Sequence, residues 1–275
     1  MRPKLILTDL DGTLLREDKT LSPINRAALE RAAAQGAEVV VATGRFYGGI
    51  PQELRDLPFL RYFILMNGAK VYDRRTDKTL GRAEIPWETV EAVIDFLEPL
   101  HCSVDCFQND RGLMARKYYD RLEQYVTHPP SFALVKRTRE PVDDLKEAVL
   151  AGGGSVQKLQ AYFPDLELRP KVMEQCKLVF PDLVQAISAN LEFNAPDATK
   201  GNGLRTLCRC LGIDPREAAA FGDGTNDLSL LQEAGIGVAM ANGAPETLAA
   251  ADLTAPSNEE DGVAQILSRW FPPNT

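Results

Sequence analysis

Asp9 and Asp11 stand two residues apart just after the apolar run Leu5-Ile6-Leu7. Alternate side chains of an extended chain share a face, so the two carboxylates are expected to meet at one spot. Like charges held close repel unless one group stays protonated or a cation balances the pair. Three more polar, glycine-bearing stretches close apolar runs: Thr43-Gly44-Arg45 after residues 37–42, Asn67-Gly68-Ala69 at the end of residues 62–67, and Gly222-Asp223-Gly224-Thr225-Asn226-Asp227 after residues 217–221. Lys200 opens a helical stretch that comes shortly before the last of them.

Each stretch alone has an ordinary reading. An Asp-Gly pair makes turns, Thr43 can cap a helix and Gly44 can turn the chain, and Asp227 can cap the helix beginning near Leu228. A lysine at a helix start is usually solvated, although its charge opposes the dipole there and calls for a compensating anion. It is the joint occurrence that points to chemistry, because open parallel sheets gather ligands at the carboxyl ends of their strands. Carboxylates at this density suit a hard cation with oxygen ligands, Mg²⁺, which also bridges to phosphate. A cation with Lys200, Thr43 and freed backbone N–H groups makes a site for phosphoryl transfer, which is mainly positioning and charge neutralisation. One aspartate of the opening pair would then attack phosphorus. Its neighbour, protonated at the start, would give its proton to the leaving oxygen and take one back from water.

The elements that must position these groups are legible as periodicity. Residues 4–8 and 37–42 read as strands flanking a helix over 23–35, with Ser22 as N-cap and Gly36 just past its end. A helical stretch from Pro51, a strand over 62–67 and a hairpin follow. The style changes from about residue 85: a helix over 86–100, a strand over 103–107, a helix over 119–126, a strand over 131–136 and a helix over 141–151, then short strands over 156–163, 176–180, 184–188 and 191–195. From residue 200 the first style returns, with helix, strand, helix, strand and a closing helix from about Asn258. The fold class expected is α/β: a doubly wound, Rossmann-like parallel-sheet core, residues 1–84 and 188–275, with an inserted α+β cap domain, residues 85–187. Glu84-Ile85-Pro86 and Ser188-Ala189-Asn190 would be its hinges.

The motifs DxDGT, TGR, KG and GDxxND, in that order, with NGA after the third strand and GVAMANG near the end, resemble the haloacid dehalogenase superfamily of phosphotransferases. The chain is similar to its Cof-like phosphatase branch along nearly its whole length. The resemblance implies Asp9 as nucleophile and metal ligand, and Asp11 as acid/base whose backbone carbonyl also meets Mg²⁺. It further implies Asp223 and Asp227 as metal carboxylates, and Leu10, Thr43, Gly44, Lys200 and Asn226 as phosphate contacts. Departures are Gly224, where this branch often has Asn, Leu230, where it often has Met, and the lead Asp197-Ala198-Thr199 before the lysine. Arg45 and Asn67 stand where substrate contacts are expected, with an ion pair and a turn as their structural alternatives. Lys158, Arg116 and Lys117 could meet a second anionic group from the cap.

Composition narrows the class further. With 275 residues, 44% of them hydrophobic, the chain can fill real cores. Lys+Arg 31 against Asp+Glu 39 gives a net charge of −8 without a basic cluster, which argues against a nucleic-acid binder. No apolar run approaches a bilayer span, so no membrane partner and a cytoplasmic location are expected, for a monomer or small homo-oligomer. The five cysteines read as reduced thiols; His101, Cys102 and Cys106 lack the spacing of a zinc site. The expected activity is a Mg²⁺-dependent phosphatase acting on a small phosphorylated metabolite, most simply a sugar phosphate. Competing readings are a phosphomutase of the phosphomannomutase type and, from another class, a phospho-acceptor signalling domain or a non-catalytic phosphosugar-binding module.

Overall fold

The computed structural model describes residues 2–187 and 190–273. The chain packs as two compact units. One holds the residues up to Arg45, Ile50–Arg82 and those from Thr199 on; the other holds Phe46–Gly49 and Ala83–Ala198.

The first unit is built on strands β1 (Leu5–Thr8), β2 (Glu38–Ala42), β3 (Tyr62–Leu65), β4 (Lys70–Asp73) and β5 (Lys78–Arg82), joined after the insertion by further strands. Within the insertion lie β6 (Ser103–Gln108), β7 (Arg111–Ala115), β8 (Arg139–Val142), β9 (Lys158–Tyr162), β10 (Val184–Ile187) and β11 (Leu191–Asn194). The chain then returns to the first sheet with β12 (Ala218–Gly222), β13 (Ile236–Met240) and β14 (Leu253–Ala255), in the order β14-β13-β12-β1-β2-β3-β4-β5. From β14 to β3 every pairing is parallel; β4 and β5 add the expected antiparallel hairpin. Leu5, Leu7, Val40, Ala42, Ile64 and Ala220 lie in one buried cluster with Leu204, Leu207 and Leu230 from the helices. That is why these strands read as unbroken apolar runs rather than alternating ones.

Helix α1 (Pro23–Ala34) starts as expected. Ser22 accepts a hydrogen bond from the Asn25 amide, Pro23 takes the first turn, and Gly36 follows the helix at φ +96°. The short α2 (Gln52–Arg55) lies between β2 and β3.

The second unit carries the sheet β10-β11-β9-β6-β7-β8, antiparallel except between β7 and β8. Its helices are α3 (Trp87–Leu97), α4 (Arg116–Tyr119), α5 (Pro129–Thr138), α6 (Leu145–Ala151) and α7 (Leu168–Val179). Two expected strands are helices. Residues 131–136 belong to α5, because Pro129 and Pro130 preset its first turn and Val135 is buried among Met114, Leu122 and Val126. Residues 176–180 end α7, whose buried residues are Val172 and Cys176 one turn apart, while Leu178 is 84% exposed. The helix expected over 119–126 is the short α4 followed by a single 3₁₀ turn at Leu122–Gln124.

The second unit runs on to Ala198 rather than ending at residue 187, because β11 pairs with β9 and β10. Glu84 accepts from the Ser155 hydroxyl at 2.5 Å and from Gln157, and Ile85 bridges to Val156, so the expected first hinge is bound within this unit. Of the expected second hinge, Ser188 and Ala189 lie outside the described residues, and Asn190 is buried.

The remaining helices of the first unit are α8 (Lys200–Leu211), α9 (Leu228–Glu233), α10 (Pro245–Ala250) and α11 (Gly262–Trp270). Thr199 caps α8 by accepting from the Asn202 amide, and Gly212 ends it at φ +67°.

Candidate active site

Parallel pairing aligns the carboxyl ends of β1, β2, β3 and β12 along one edge of the first sheet, where the polar stretches begin. Asp9 follows β1 immediately, and its amide donates to the Phe221 carbonyl of β12 at 3.0 Å, fixing it beside the acidic loop. In that loop Asp227 folds back: its Oδ2 accepts from the Asp223 and Gly224 amides, both at 3.0 Å. A Cβ at Gly222 would lie 2.4 Å from that of Asp227, so the loop closes only over glycine. Lys200, the first residue of α8, is fully buried and places Nζ 2.6 Å from both Asp9 Oδ1 and Asp227 Oδ1. Asp223 accepts from the Thr13 hydroxyl at 2.7 Å.

Asp9, Asp223 and Asp227 each offer an oxygen within 4.8 Å of the others, so they could hold a divalent metal. The electrostatics fit one. Burial pushes the Asp9 carboxyl well above the usual carboxylate range; Lys200 pulls it down, while Asp227, Asp223 and Asp11 push with burial. Burial, then Asp227, raises Asp223 to about 6 against the Thr13 hydrogen bond and Lys200. Burial opposes the Lys200 charge, but Asp227 and Asp9 outweigh it and hold the ammonium above its ordinary range. Three acids thus share one buried ammonium, and an oxygen-only donor set short of positive charge suits a hard dication.

Asp11 departs from expectation. It does not join the three-acid group: its carboxylate turns to Arg45, whose Nε and Nη2 donate to its two oxygens at 2.7 Å, and to Lys19 Nζ at 3.0 Å. Burial pushes Asp11 up, but Arg45 and Lys19 outweigh it and hold it at about 2. It is therefore ionised here, not protonated. The reason is local. The strand ends at Thr8 and Gly12 adopts φ +82°, so the two-residue period that would align Asp11 with Asp9 no longer applies. Arg45, expected to meet substrate or to form an ion pair, forms the ion pair here.

The other expected residues gather at the same edge. Leu10 is fully buried, and its carbonyl accepts from the Leu15 amide at 2.8 Å. Thr43 is buried, with its hydroxyl oxygen taking the Arg45 amide at 3.1 Å and its carbonyl the Asn67 amide at 3.0 Å; Gly44, partly buried, lies between. Asn226 donates to the Asn67 side-chain oxygen at 3.2 Å. Sequence reasoning missed Lys19, Thr13 and Asn242, whose amide donates to the Gly12 carbonyl at 2.8 Å. Thr13 carried a signal in the DxDGT motif and Asn242 in GVAMANG; Lys19 carried none.

The sequence model of the haloacid dehalogenase-like hydrolase family matches residues 6–267. The putative phosphatase YxeH of Bacillus subtilis is 32% identical over 96% of this chain and 97% of its own length. YitU of the same organism, a 5-amino-6-(5-phospho-D-ribitylamino)uracil phosphatase, is 28% identical over 98% of each chain. A crystal structure of a haloacid dehalogenase-like hydrolase from Bacteroides thetaiotaomicron superposes with a TM-score of 0.82 at 29% identity, covering 98% of this chain and all of that one.

Proposed function

Because this chain belongs to the haloacid dehalogenase-like hydrolase family, we propose that it is a Mg²⁺-dependent phosphatase that hydrolyses small phosphorylated metabolites through an aspartyl-phosphate. The observation that carries this reading is the group Asp9, Asp223 and Asp227 at the carboxyl edge of a parallel sheet, three carboxylates with oxygens within 4.8 Å of one another, two of them paired with the buried Lys200 ammonium.

In this reading Asp223, Asp227 and Asp9 hold the Mg²⁺, which neutralises phosphate charge when bound. Lys200 stabilises ionised Asp9 and, with Thr43, Gly44, Asn226 and the Leu10 amide, orients the phosphoryl group. The Asp9 carboxylate forms a bond to phosphorus as the bond to the leaving oxygen breaks, and Asp11 supplies the proton that oxygen takes. Water then attacks phosphorus, its proton passes to Asp11, and Asp9 and inorganic phosphate separate. To carry that proton Asp11 leaves its ion pair with Arg45 and Lys19.

The inserted unit serves as the cap that reads the leaving group. One face of its sheet carries Asp105, Gln160 and Glu192 in register. There Asp105 pairs with Arg139 and Lys158 with Glu192 at 3.0 Å, two acids against two bases. A face with no net charge favours a neutral, hydroxyl-rich leaving group, such as a sugar or polyol, over a second phosphate. The YitU name, with its phosphorylated ribityl chain, agrees with that class.

The test is phosphate release from sugar phosphates, polyol phosphates, nucleotides and bisphosphates, with Mg²⁺ and with chelator. Metal-dependent release favouring the neutral polyols is expected. No release from any ester, or sugar 1-phosphate turned to 6-phosphate without free phosphate, overturns it, the latter in favour of a mutase.

A further inference from the structure

Behind the strand-end loops the chain makes a turn that local preference does not favour. Met66, Asn67 and Gly68 adopt φ of 50°, 59° and 102° in succession, all in the left-handed region that non-glycine residues rarely enter. Such a conformation persists when its surroundings over-determine it, and here they do. The Met66 amide donates to the Arg45 carbonyl and the Asn67 amide to the Thr43 carbonyl, each at 3.0 Å. The Asn67 side chain takes the Asn226 amide at 3.2 Å.

Gly68 meets the third neighbour. A Cβ there would lie 2.1 Å from the carbonyl oxygen of Thr199 and 3.1 Å from its nitrogen. Thr199 caps α8, its carbonyl accepts from the Gly203 amide at 3.0 Å, and the next residue is Lys200. The far side of this helix start is equally closed, since a Cβ at Gly201 would sit 2.4 Å from the Ser229 carbonyl oxygen and one at Gly203 2.5 Å from an Ile64 methyl. The first turn of α8 is therefore clamped between the Met66–Gly68 turn, α9 and β3, with little room to slide.

We propose that Met66-Asn67-Gly68 is a positioning device, in which Gly68 sets the height of the α8 start and thereby the place of the Lys200 ammonium between Asp9 and Asp227. Asn67 belongs to it through its backbone conformation, not through contact with substrate. The kinetic part of this inference rests on the phosphatase reading.

Gly68→Ala is the direct test. With p-nitrophenyl phosphate as substrate, kcat should fall on the order of 100-fold with KM little changed, as expected for a reacting group displaced by about 1 Å. In a Lys200→Ala background the same change should cost nothing further, because residues acting as a unit are non-additive. A folded Gly68→Ala enzyme with wild-type kcat, or an equal loss in both backgrounds, overturns the proposal. If Gly68→Ala does not fold, Asn67 decides. Asn67→Gly keeps the left-handed turn and loses only the side-chain bond to Asn226, whereas Asn67→Ala strains the turn as well, so kcat should fall about tenfold further in Asn67→Ala than in Asn67→Gly. Equal losses in the two would assign the role to the amide and overturn the turn. A wild type inactive on every ester sinks the phosphatase reading alone. The crystal structure of the foldable variant, Gly68→Ala or Asn67→Ala, then judges the turn, with Lys200 Nζ expected out of hydrogen-bond reach of Asp9 and an unmoved ammonium as the contrary result.

Discussion

The two aspartates of the opening motif, two residues apart in the chain, sit in opposite electrostatic settings. Asp9 is buried among Asp223 and Asp227 with one lysine for all three, and it is pushed toward its neutral form. Asp11 is partly exposed, faces two cations, and is held ionised at about 2. Adjacent groups of one chemical type can thus be driven apart by what the tertiary fold brings to each. The inner set is short of positive charge and fit to take a cation; the outer set has a surplus that substrate or solvent has to displace before Asp11 can hold a proton.

The comparison breaks most sharply at Asp9. Asp9→Asn should lower phosphate release by on the order of 10⁴-fold or more, since loss of a covalent nucleophile leaves only positioning. Release in a Mg²⁺ assay that survives this change removes the nucleophile from Asp9. Next comes Lys200→Ala, which strips the buried acids of their counter-charge and should cost about 3–5 kcal/mol in metal-free urea unfolding, the usual penalty for breaking a buried pair. A midpoint unchanged from wild type would show that the carboxylates do not depend on it.

A pH series sharpens the contrast. An acid whose folded pKa is raised contributes stability below its unfolded pKa and loses it as pH rises, so Asp223 should destabilise metal-free protein between about pH 4 and about 6. Asp11, lowered to about 2, contributes in the opposite sense: its stabilisation is present above the unfolded value near 4 and lost as pH falls toward 2. Mg²⁺ should flatten the first effect and leave the second. Thermal unfolding of wild type and Asp223→Asn, each with Mg²⁺ and with chelator, tests this, and a wild-type slope between pH 4 and 6 that the metal does not change contradicts it. The smallest effect is expected at Lys19→Ala, about 1 kcal/mol or less, because that contact is part-exposed and Asp11 keeps Arg45.

Much of the first unit was legible because its strands are buried on both faces and its loops begin where the apolar runs stop. The second unit was harder. Residues 131–136 and 176–180 look like strands by composition, yet the first follows a proline pair that starts a helix and the second ends a helix whose last turn faces solvent. The extent of the insertion was read short because the pairing of β11 with β9 depends on residues about thirty positions away, which no local pattern reports.

What the sequence by itself determined is the doubly wound order and the acids, lysine and glycines at its strand ends, because period, capping and turn chemistry act over a few residues. Only the tertiary structure decided which charges meet. The Asp9–Lys200 contact spans 191 positions and the Asp11–Arg45 pair 34. Ionisation follows burial and neighbours in space, and these exist only once the chain has closed those distances.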